Sequence, residues 1–275
     1  MSSPVRLVAT DLDGTLVHSD GSVTARTRAA LAAAEDAGVQ VVFVTGRPLR
    51  WAREVFEHVG PHGLAVVSNG ALVWDVAADV PRLERPIAPE VTVTVAARLR
   101  AELPDVLFAT ETVAGWSMEP SYATHPADDG SGRTPRRVAP IDELASEPIL
   151  KLLGLCRRRD PDEMVAVADA SVGDLVTVTH SSFPLLEMSA AGVTKASTLA
   201  LLCEELGIGS EEVVAVGDMP NDLPMLAWAG TSYAMANAHP TVRDAADHLA
   251  ASNDDDGVAQ VLEALLDSRV SPRQH

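Results

Sequence analysis

The sequence predicts an α/β protein whose parallel-sheet domain is interrupted by a smaller inserted domain. Short apolar runs alternate with helical stretches near both ends of the chain, an order typical of a parallel sheet covered on both faces. The alternation stops near Pro81 and resumes near residue 191. Between these points, two helices and several short strands follow an order typical of an antiparallel α+β unit. We therefore assign residues 1–80 and 191–275 to one domain and residues 81–190 to the insertion.

The predicted strands of the first domain are short, mostly apolar and rich in β-branched residues, as expected for buried strands. They are Val5–Thr10, Val39–Val44, Leu64–Val67, Val213–Val216 and Ser232–Met235. Gly38 predicts the end of the first helix, and Pro48 predicts the first turn of the second, where proline is tolerated. The predicted helices are Thr24–Ala37, a segment that starts at Pro48, Thr194–Leu206, Asp222–Ala229 and Val258–Asp267.

The insertion is predicted to contain helices at Glu90–Leu103 and Pro161–Val172. A loop rich in Gly, Asp, Ser and Arg is predicted at Asp128–Arg137. The predicted strands lie near Val106–Thr110, Trp116–Met118, Ile149–Cys156, Leu175–Thr179 and Leu185–Met188. Lys151 lies within an apolar strand, and we interpret it as a surface lysine whose stem covers the sheet.

Composition limits the classes of function. Of the 275 residues, 47% are hydrophobic and 22% are charged, a balance typical of globular proteins, and the formal net charge is −18. Because negative charge repels nucleic acid and anionic membranes, we expect neither as a partner. The two cysteines, Cys156 and Cys203, form no disulfide framework and no zinc-spacing motif. We recognise no secretion signal and no apolar run of membrane-spanning length, which predicts a cytoplasmic protein.

Polar or glycine-containing segments follow the predicted strands of the first domain. They are Asp11-Leu12-Asp13, Thr45-Gly46-Arg47, Ser68-Asn69-Gly70 and Gly217-Asp218. In open α/β sheets, ligands bind outside the carboxyl ends of the strands. Core packing does not require polar residues at these positions, so the pattern predicts a binding or catalytic site there.

Asp11 and Asp13 are spaced so that their side chains point to the same side of an extended segment. Two adjacent carboxylates repel each other and need a cation or a shared proton. A carboxylate at a strand end can attack phosphorus, and its neighbour can donate a proton to the leaving oxygen. The alternative is an ordinary turn, in which Asp, Gly14 and Thr15 serve only turn formation.

Asp218 and Asp222 weigh against an ordinary turn. Asp222 lies one helical turn beyond Asp218, with Asn221 between them. Clustered carboxylate oxygens suit a hard cation such as Mg²⁺, which relieves their repulsion and binds phosphoryl oxygens. Asp222 has a second interpretation as the cap of the following helix.

Local positive charge is needed at any phosphate site on such an acidic protein. Lys195 begins a helix, where its charge opposes the helix dipole but suits a site of phosphate and aspartates. The hydroxyl of Thr45 is a donor for a phosphoryl oxygen, and Arg47 is suited to bind phosphate in bidentate fashion. These three residues, with Mg²⁺, satisfy the requirement.

The complete set of motifs resembles the haloacid dehalogenase-like (HAD) phosphatases, and more narrowly their Cof-type, type IIB cap branch. The residues that carry the resemblance are Asp11-Leu12-Asp13-Gly14-Thr15-Leu16, Thr45-Gly46-Arg47, Ser68-Asn69-Gly70, Gly192-Val193-Thr194-Lys195, Gly217-Asp218-Met219-Pro220-Asn221-Asp222 and Asn253 to Val258 (NDDDGV). The resemblance implies a Rossmann-like core with an inserted α+β cap domain, which agrees with the insertion inferred independently above.

The resemblance also implies a role for each matching residue. Asp11 is expected to be the nucleophile, Asp13 the general acid and base, and Thr45 and Lys195 the residues that hold the phosphoryl group. The metal ligands are expected to be Asp11, Asp13 through its backbone carbonyl, Asp218 and Asp222. Substrate contacts are expected from Gly46, Arg47, Asn69 and Asn221.

The expected ligand is a small phosphorylated metabolite, with sugar phosphates the first class, bound by a monomer or homodimer. Two other functions stay open. A phosphomutase would return the phosphoryl group to the substrate instead of to water, and a catalytically silent protein would only bind a metabolite. Candidates for leaving-group contacts, each of which also fits a packing or solvated role, are Trp116, Met118, Glu119, His125, His180 and Glu187.

Overall fold

A computed structural model of the protein describes residues 4–60, 63–122, 134–156, 159–180 and 185–270. The chain divides into two compact units. The first, the core unit, comprises Met1–Arg82 and Lys195–His275, and the second, the inserted unit, comprises Leu83–Thr194. These divisions fall two and four residues beyond the boundaries that the sequence suggested.

The sheet of the core unit contains strands β1–β5 and β12–β14, in the order β14-β13-β12-β1-β2-β3-β4-β5 within the described residues. Their bounds are β1 Leu7–Thr10, β2 Gln40–Val44, β3 Leu64–Val67, β4 Leu72–Asp75, β5 Val80–Glu84, β12 Val213–Gly217, β13 Thr231–Ala234 and β14 His248–Leu249. β1 lies between β2 and β12 and pairs with both in parallel. β1, β3 and β12 are buried along their whole length, as the sequence predicted for central strands.

The core sheet is parallel, as predicted, except on the side of β4. β4 pairs antiparallel with β3, with Val67 opposite Leu72. The chain reverses through Ser68, Asn69 and Gly70, whose φ angles are 54°, 56° and 105°. From the sequence, this segment was predicted to be the polar end of a strand and part of the site. The hairpin and the short apolar strand that follows were not predicted.

The helices of the core unit pack around this sheet, and all except α8, which was not predicted, lie close to their predicted positions. They are α1 Ala25–Asp36, α2 Leu49–Val59, α6 Lys195–Leu206, α7 Leu223–Trp228, α8 Pro240–Ala245 and α9 Gly257–Val270. The side chain of Thr24 accepts a hydrogen bond from the Thr27 N–H and caps α1. The helix predicted to begin at Asp222 begins one residue later, because residues Pro220–Asp222 form a 3₁₀ turn.

The inserted unit has its own sheet, in the order β10-β11-β9-β6-β7-β8 within the described residues. The strands are β6 Leu107–Thr112, β7 Gly115–Met118, β8 Arg137–Val138, β9 Lys151–Leu155, β10 Val176–His180 and β11 Leu185–Ala190; the helices are α3 Pro89–Glu102, α4 Ile141–Leu144 and α5 Pro161–Val172. Neighbouring strands are antiparallel as predicted, except that β7 and β8 are parallel.

The two faces of this sheet differ in what they bury. Phe108, Leu152 and Met188 belong to a cluster that includes apolar residues of α3 and α5. Trp116 and Met118 belong to a separate cluster on the alternate strand positions. Both side chains are 6% exposed, so their packing interpretation is satisfied by contacts within the inserted unit.

Several polar residues of the inserted unit have defined partners. Lys151 is only 2% exposed, and its Nζ donates to Glu187 Oε2 at 2.7 Å, so its interpretation as a surface lysine was wrong. The Glu119 carboxylate accepts from the backbone N–H groups of Phe108 and Ile141 and from Arg100, and His180 contacts Asp162. His125 and most of the predicted polar loop at Asp128–Arg137 lie outside the described residues.

Within the described parts of the chain, none of the helices combines the length and the apolar character needed to cross a lipid bilayer.

Candidate active site

Asp11 lies at the carboxyl end of β1, beside the end of β12. Its backbone N–H donates to Val216 O at 3.0 Å, and the parallel register pairs Thr10 with Val216. Asp218 follows β12 directly. The sheet therefore places these two aspartates side by side, as the positions of the motifs predicted.

Lys195 bridges two buried aspartates. Its Nζ donates to Asp11 Oδ1 at 2.6 Å and to Asp222 Oδ1 at 2.7 Å. The exposed fractions of the three side chains are 2% for Lys195, 6% for Asp11 and 0% for Asp222. A buried ammonium between two carboxylates is charge-assisted on both sides and is shielded from screening by solvent.

Asp222 braces the turn between β12 and α7. Its Oδ2 accepts hydrogen bonds from the backbone N–H groups of Asp218 and Met219, each at 3.0 Å. Its side chain does not cap α7, so that interpretation was wrong. Since Oδ1 binds Lys195, both carboxylate oxygens of Asp222 have protein partners. Asp222 is therefore better suited to hold Asp218 and Lys195 in place than to bind a metal directly.

Asp218 is enclosed by the segment that follows Asp11 and Asp13. The hydroxyl of Thr15 donates to Asp218 Oδ1 at 2.8 Å. Gly14 has a φ of +73°, and a Cβ at this position would lie 2.4 Å from Asp218 Oδ2. Glycine is therefore required both for the left-handed backbone and for the close approach to the carboxylate.

The carboxylates fit a divalent cation. Asp11, Asp218 and Asp222 each offer an oxygen within 4.8 Å of the others. Burial raises the pKa of Asp11 well above its ordinary value, since Lys195 offsets only part of the effect and Asp222 and Asp218 add to it. Burial also raises the pKa of Asp218 to about 6, despite the hydrogen bond from Thr15. Such carboxylates gain stability from a hard cation with oxygen ligands.

Lys195 stays protonated in this environment. Burial by itself lowers the pKa of its amine, but the carboxylates of Asp11 and Asp222 outweigh burial and leave that pKa above its ordinary value. One ammonium facing three carboxylates leaves the cluster negative when all are ionised. This excess is the electrostatic reason that the residues suit a metal ion in addition to the lysine.

Asp13 has a different partner from the other aspartates. The Nε of Arg47 donates to Asp13 Oδ2 at 2.8 Å and to Asp13 Oδ1 at 3.1 Å, and its Nη2 donates to the same carboxylate. This contact raises the pKa of Arg47. The carboxylate of Asp13 is 56% exposed. The Arg47 guanidinium, which was predicted to bind phosphate, thus binds the carboxylate of Asp13, the predicted general acid and base.

The remaining predicted residues line the ends of β2 and β3. The hydroxyl of Thr45 accepts from the Arg47 N–H at 3.0 Å, while the Thr45 carbonyl accepts from the Asn69 N–H at 3.1 Å. Gly46 lies against the Asn69 side chain, so that an added Cβ would be 2.9 Å from Asn69 Oδ1. Asn221 is half-buried in the 3₁₀ turn between Asp218 and Asp222.

The predicted site residues thus lie together at the carboxyl ends of the core strands, and the chain can be compared with known proteins. Residues 8–262 match the family of haloacid dehalogenase-like hydrolases. This chain belongs to that family. Three predictions are therefore confirmed. They are the resemblance to Cof-type HAD hydrolases, the α/β fold with an inserted domain, and the classification as a HAD-type phosphatase.

Individual HAD relatives match nearly the whole chain. A 5-amino-6-(5-phospho-D-ribitylamino)uracil phosphatase from Bacillus subtilis (strain 168) is 28% identical over 258 residues, which cover 94% of each chain. The crystal structure of a haloacid dehalogenase-like hydrolase from Bacteroides thetaiotaomicron is 27% identical, covers 95% of this chain and 99% of its own, and has a TM-score of 0.79. A subclass IIB sugar phosphatase, 21% identical with coverage of 94% and 98%, shares the fold with a TM-score of 0.77.

Two residues that bind the loop after Asp13 were not predicted to have a role. Asn237 and Asn253 both donate to backbone carbonyls of the loop that follows Asp13. Asn253 belongs to the NDDDGV segment, which was recognised as part of the resemblance without a role. Asn237 lies in an Ala-Met-Ala-Asn-Ala segment that carries no charged or nucleophilic group, so its composition gave no signal.

Proposed function

We propose that this chain hydrolyses a small phosphate monoester, such as a sugar phosphate, through a phosphoaspartate formed on Asp11. The observation that carries the proposal is the contact between Lys195 and Asp11. Asp11 is a buried carboxylate at the carboxyl end of β1, and the ammonium group of Lys195 balances its charge. The pair lies beside the carboxylates of Asp218 and Asp222 at the carboxyl ends of the strands, where open α/β sheets bind ligands, which favours a functional role.

The first step forms the phosphoaspartate. A carboxylate oxygen of Asp11 attacks phosphorus, the bond between phosphorus and the leaving oxygen breaks, and the Asp13 carboxyl gives its proton to that oxygen. Lys195 and Thr45 donate hydrogen bonds to the phosphoryl oxygens as their charge develops. Within the described residues, Lys195 directs two of its three N–H donors at aspartates, which leaves one for this purpose.

The second step returns the enzyme to its initial state. The Asp13 carboxylate removes a proton from water, the hydroxide oxygen bonds to phosphorus, and the bond from phosphorus to Asp11 breaks. Inorganic phosphate and a free Asp11 carboxylate result. Arg47 holds Asp13 during the exchange of protons.

Mg²⁺ is the proposed cofactor. Asp11 and Asp218 would hold it, with the backbone carbonyl of Asp13, while Asp222 orients Asp218 and Lys195. When bound, Mg²⁺ supplies positive charge for the phosphoryl oxygens and cancels repulsion among the carboxylates.

We propose that the inserted unit is a type IIB cap and selects the organic part of the substrate. The Bacillus subtilis relative is a phosphatase of 5-amino-6-(5-phospho-D-ribitylamino)uracil, a phosphorylated ribityl compound, and the subclass IIB neighbour is a sugar phosphatase. Both similarities favour a polyhydroxylated phosphate ester as the substrate. Among the cap candidates, Glu119 is the weakest because backbone N–H groups occupy its carboxylate.

We also propose that the protein works in the cytoplasm as a monomer or homodimer. Both cysteines are free and buried, and burial raises the pKa of each thiol to about 11. Thiols of this kind need no oxidising compartment and are poor nucleophiles.

The test is phosphate release from a panel of sugar phosphates, nucleotides and an aryl phosphate, with Mg²⁺ or with EDTA. We expect release that requires Mg²⁺ and is lost in Asp11→Asn. The Asp254→Asn variant, which changes an exposed carboxylate in the same unit, is the control and should keep full activity. Isomerisation of a sugar phosphate without net phosphate release would instead identify a phosphomutase. Metabolite binding without turnover would identify a silent protein.

A further inference from the structure

We propose that Asn237 is a positioning residue that fixes the loop carrying Asp13, the proposed general acid and base. This inference rests on the proposed phosphatase function for its kinetic consequences, although the positioning itself is testable without turnover. It assigns a role to an exposed asparagine that lies outside the segments that carry the family resemblance.

Asn237 connects the loop to the C-terminal segment of the core unit. Its Nδ2 donates to the Gly14 carbonyl at 2.7 Å, and its Oδ1 accepts from the Asn253 N–H at 3.0 Å. A carbonyl only accepts and a backbone N–H only donates, so the two partners determine the orientation of the amide. Asparagine is suited to this position because it presents a donor and an acceptor at once.

Asn253 completes the connection on the far side of the loop. Its Nδ2 donates to the Val17 carbonyl at 3.0 Å, and the residue is 5% exposed. Between these two attachments, the loop is closed by the Val17 N–H bond to Leu12 O and by an isolated bridge between Asp13 and Val17. The two asparagines thus hold the loop at Gly14 and at Val17.

Asp13 lies between two residues whose backbones are held by hydrogen bonds, Asp11 and Gly14. Asp11 is held by the sheet through its backbone bond to Val216. Gly14 is held by Asn237 on its carbonyl and lies against Asp218. Loss of the Asn237 bond therefore loosens the Gly14–Thr15 peptide, one residue beyond Asp13, while the sheet still holds the nucleophile Asp11. We expect the steps that depend on the placement of Asp13 to become slower, and the affinity for substrate to stay the same.

The kinetic expectation is specific to proton transfer. In Asn237→Ala, kcat for a sugar phosphate, whose leaving group needs a proton, should fall by about 10- to 100-fold with little change in KM, as for a misplaced catalytic group. An aryl phosphate has a leaving group that needs no protonation, so formation of the phosphoaspartate should be spared. Its hydrolysis still needs Asp13 as a base. The variant should therefore release a burst of phenol product approaching one equivalent per enzyme, followed by slow turnover.

Three variants separate positioning from general destabilisation. Asn237→Ala removes both bonds, whereas Asn237→Asp keeps the acceptor for the Asn253 N–H but lacks the donor for Gly14. Ser19→Ala is the matched control. It removes the bond from Ser19 Oγ to Asp254, which ties the same stretch of chain to the same C-terminal segment at an exposed position. Both Asn237 variants should show the kinetic change, and Ser19→Ala should match wild type.

The closing experiment measures amide hydrogen exchange alongside the kinetics in full-length protein with Mg²⁺. We expect faster exchange in residues 13–17 of both Asn237 variants, with exchange in β1 unchanged. Unchanged exchange in that loop, or kcat within about twofold of wild type, would overturn the positioning role. A wild-type protein that releases no phosphate contradicts the proposed function instead, and the exchange result then decides the positioning role alone.

Discussion

Arg47 binds the carboxylate of Asp13 from the neighbouring strand end, with its Nε 2.8 Å from Asp13 Oδ2. The contact joins the segment after β1 to the segment after β2 and accounts for the orientation of the proposed general acid and base. It also means that Arg47 acts on the reaction through Asp13 in this arrangement.

Substitution of Arg47 by glutamine should lower kcat by about tenfold, a part of the 10²–10⁴-fold that general acid–base catalysis contributes. The reason is that Asp13 loses the fork that fixes both its oxygens, while the phosphate-binding residues stay in place. Steady-state kinetics should show KM changing less than kcat. Arg53→Gln is the control, since Arg53 pairs with Asp79 at an exposed position. A large rise in KM with unchanged kcat would show that Arg47 binds phosphate instead.

Lys195→Met should unfold at lower urea concentration than wild type and should lack turnover. Removal of the ammonium leaves Asp11, Asp218 and Asp222 buried together, and breaking a buried ion pair costs about 3–5 kcal/mol. Added Mg²⁺ should recover part of the lost stability by neutralising the same carboxylates. Unchanged stability in EDTA would contradict the charge balance described for the cluster.

The contribution of Asp218 and Asp11 to the stability of the metal-free protein should fall as pH rises from about 4 to above 6. Burial raises the pKa of Asp218 to about 6 and also raises that of Asp11. At these two groups the folded state binds more protons than the unfolded state, so their ionisation lowers the free energy of unfolding as pH rises. Mg²⁺ should bind more tightly over the same range, because its ligands must be deprotonated.

The matching measurement is thermal unfolding across this pH range, with EDTA and with Mg²⁺. The gain in Tm from Mg²⁺ should grow with pH in the wild type and should be much smaller in Asp218→Asn. A metal effect on Tm that does not depend on pH would argue against Asp218 as a titrating ligand.

Gly14→Ala should abolish Mg²⁺-dependent activity, whereas Gly21→Ala should not. Both residues have positive φ angles, +73° and +84°, so each substitution carries a backbone cost of about 1–2 kcal/mol. Only at position 14 does the new methyl group meet Asp218, at 2.4 Å from Oδ2; at position 21 nothing lies within 4 Å. Metal titration by calorimetry should therefore separate the two variants. Equal metal affinity in both would show that the contact with Asp218 is unimportant.

The sequence could predict the strand ends and the gathering of their polar residues because parallel strands align their carboxyl ends. It could not predict which side chains meet there. The partner of Arg47 depends on the distance to Asp13 across two strands, and a long side chain reaches several positions. The contact between Asn237 and Gly14 joins residues 223 positions apart.

Two errors of interpretation have similar physical causes. Lys151 was assigned to the surface by residue type, but its position on a central strand buries it and Glu187 compensates its charge. The hairpin after β3 was missed because Ser68 and Asn69 adopt left-handed backbone conformations that are unusual for residues with side chains. Tertiary structure imposes both arrangements on local sequence that would permit others.

The most direct test of the central claim is to locate the phosphoryl group on the protein. Asp13→Asn should form the phosphoaspartate from an aryl phosphate but hydrolyse it slowly, because the residue can no longer deprotonate water. After acid quenching and digestion, mass spectrometry should find the phosphoryl group on Asp11. The Asp11→Asn, Asp13→Asn double variant should carry none. Phosphate on another residue, or turnover by Asp11→Asn, would contradict the account.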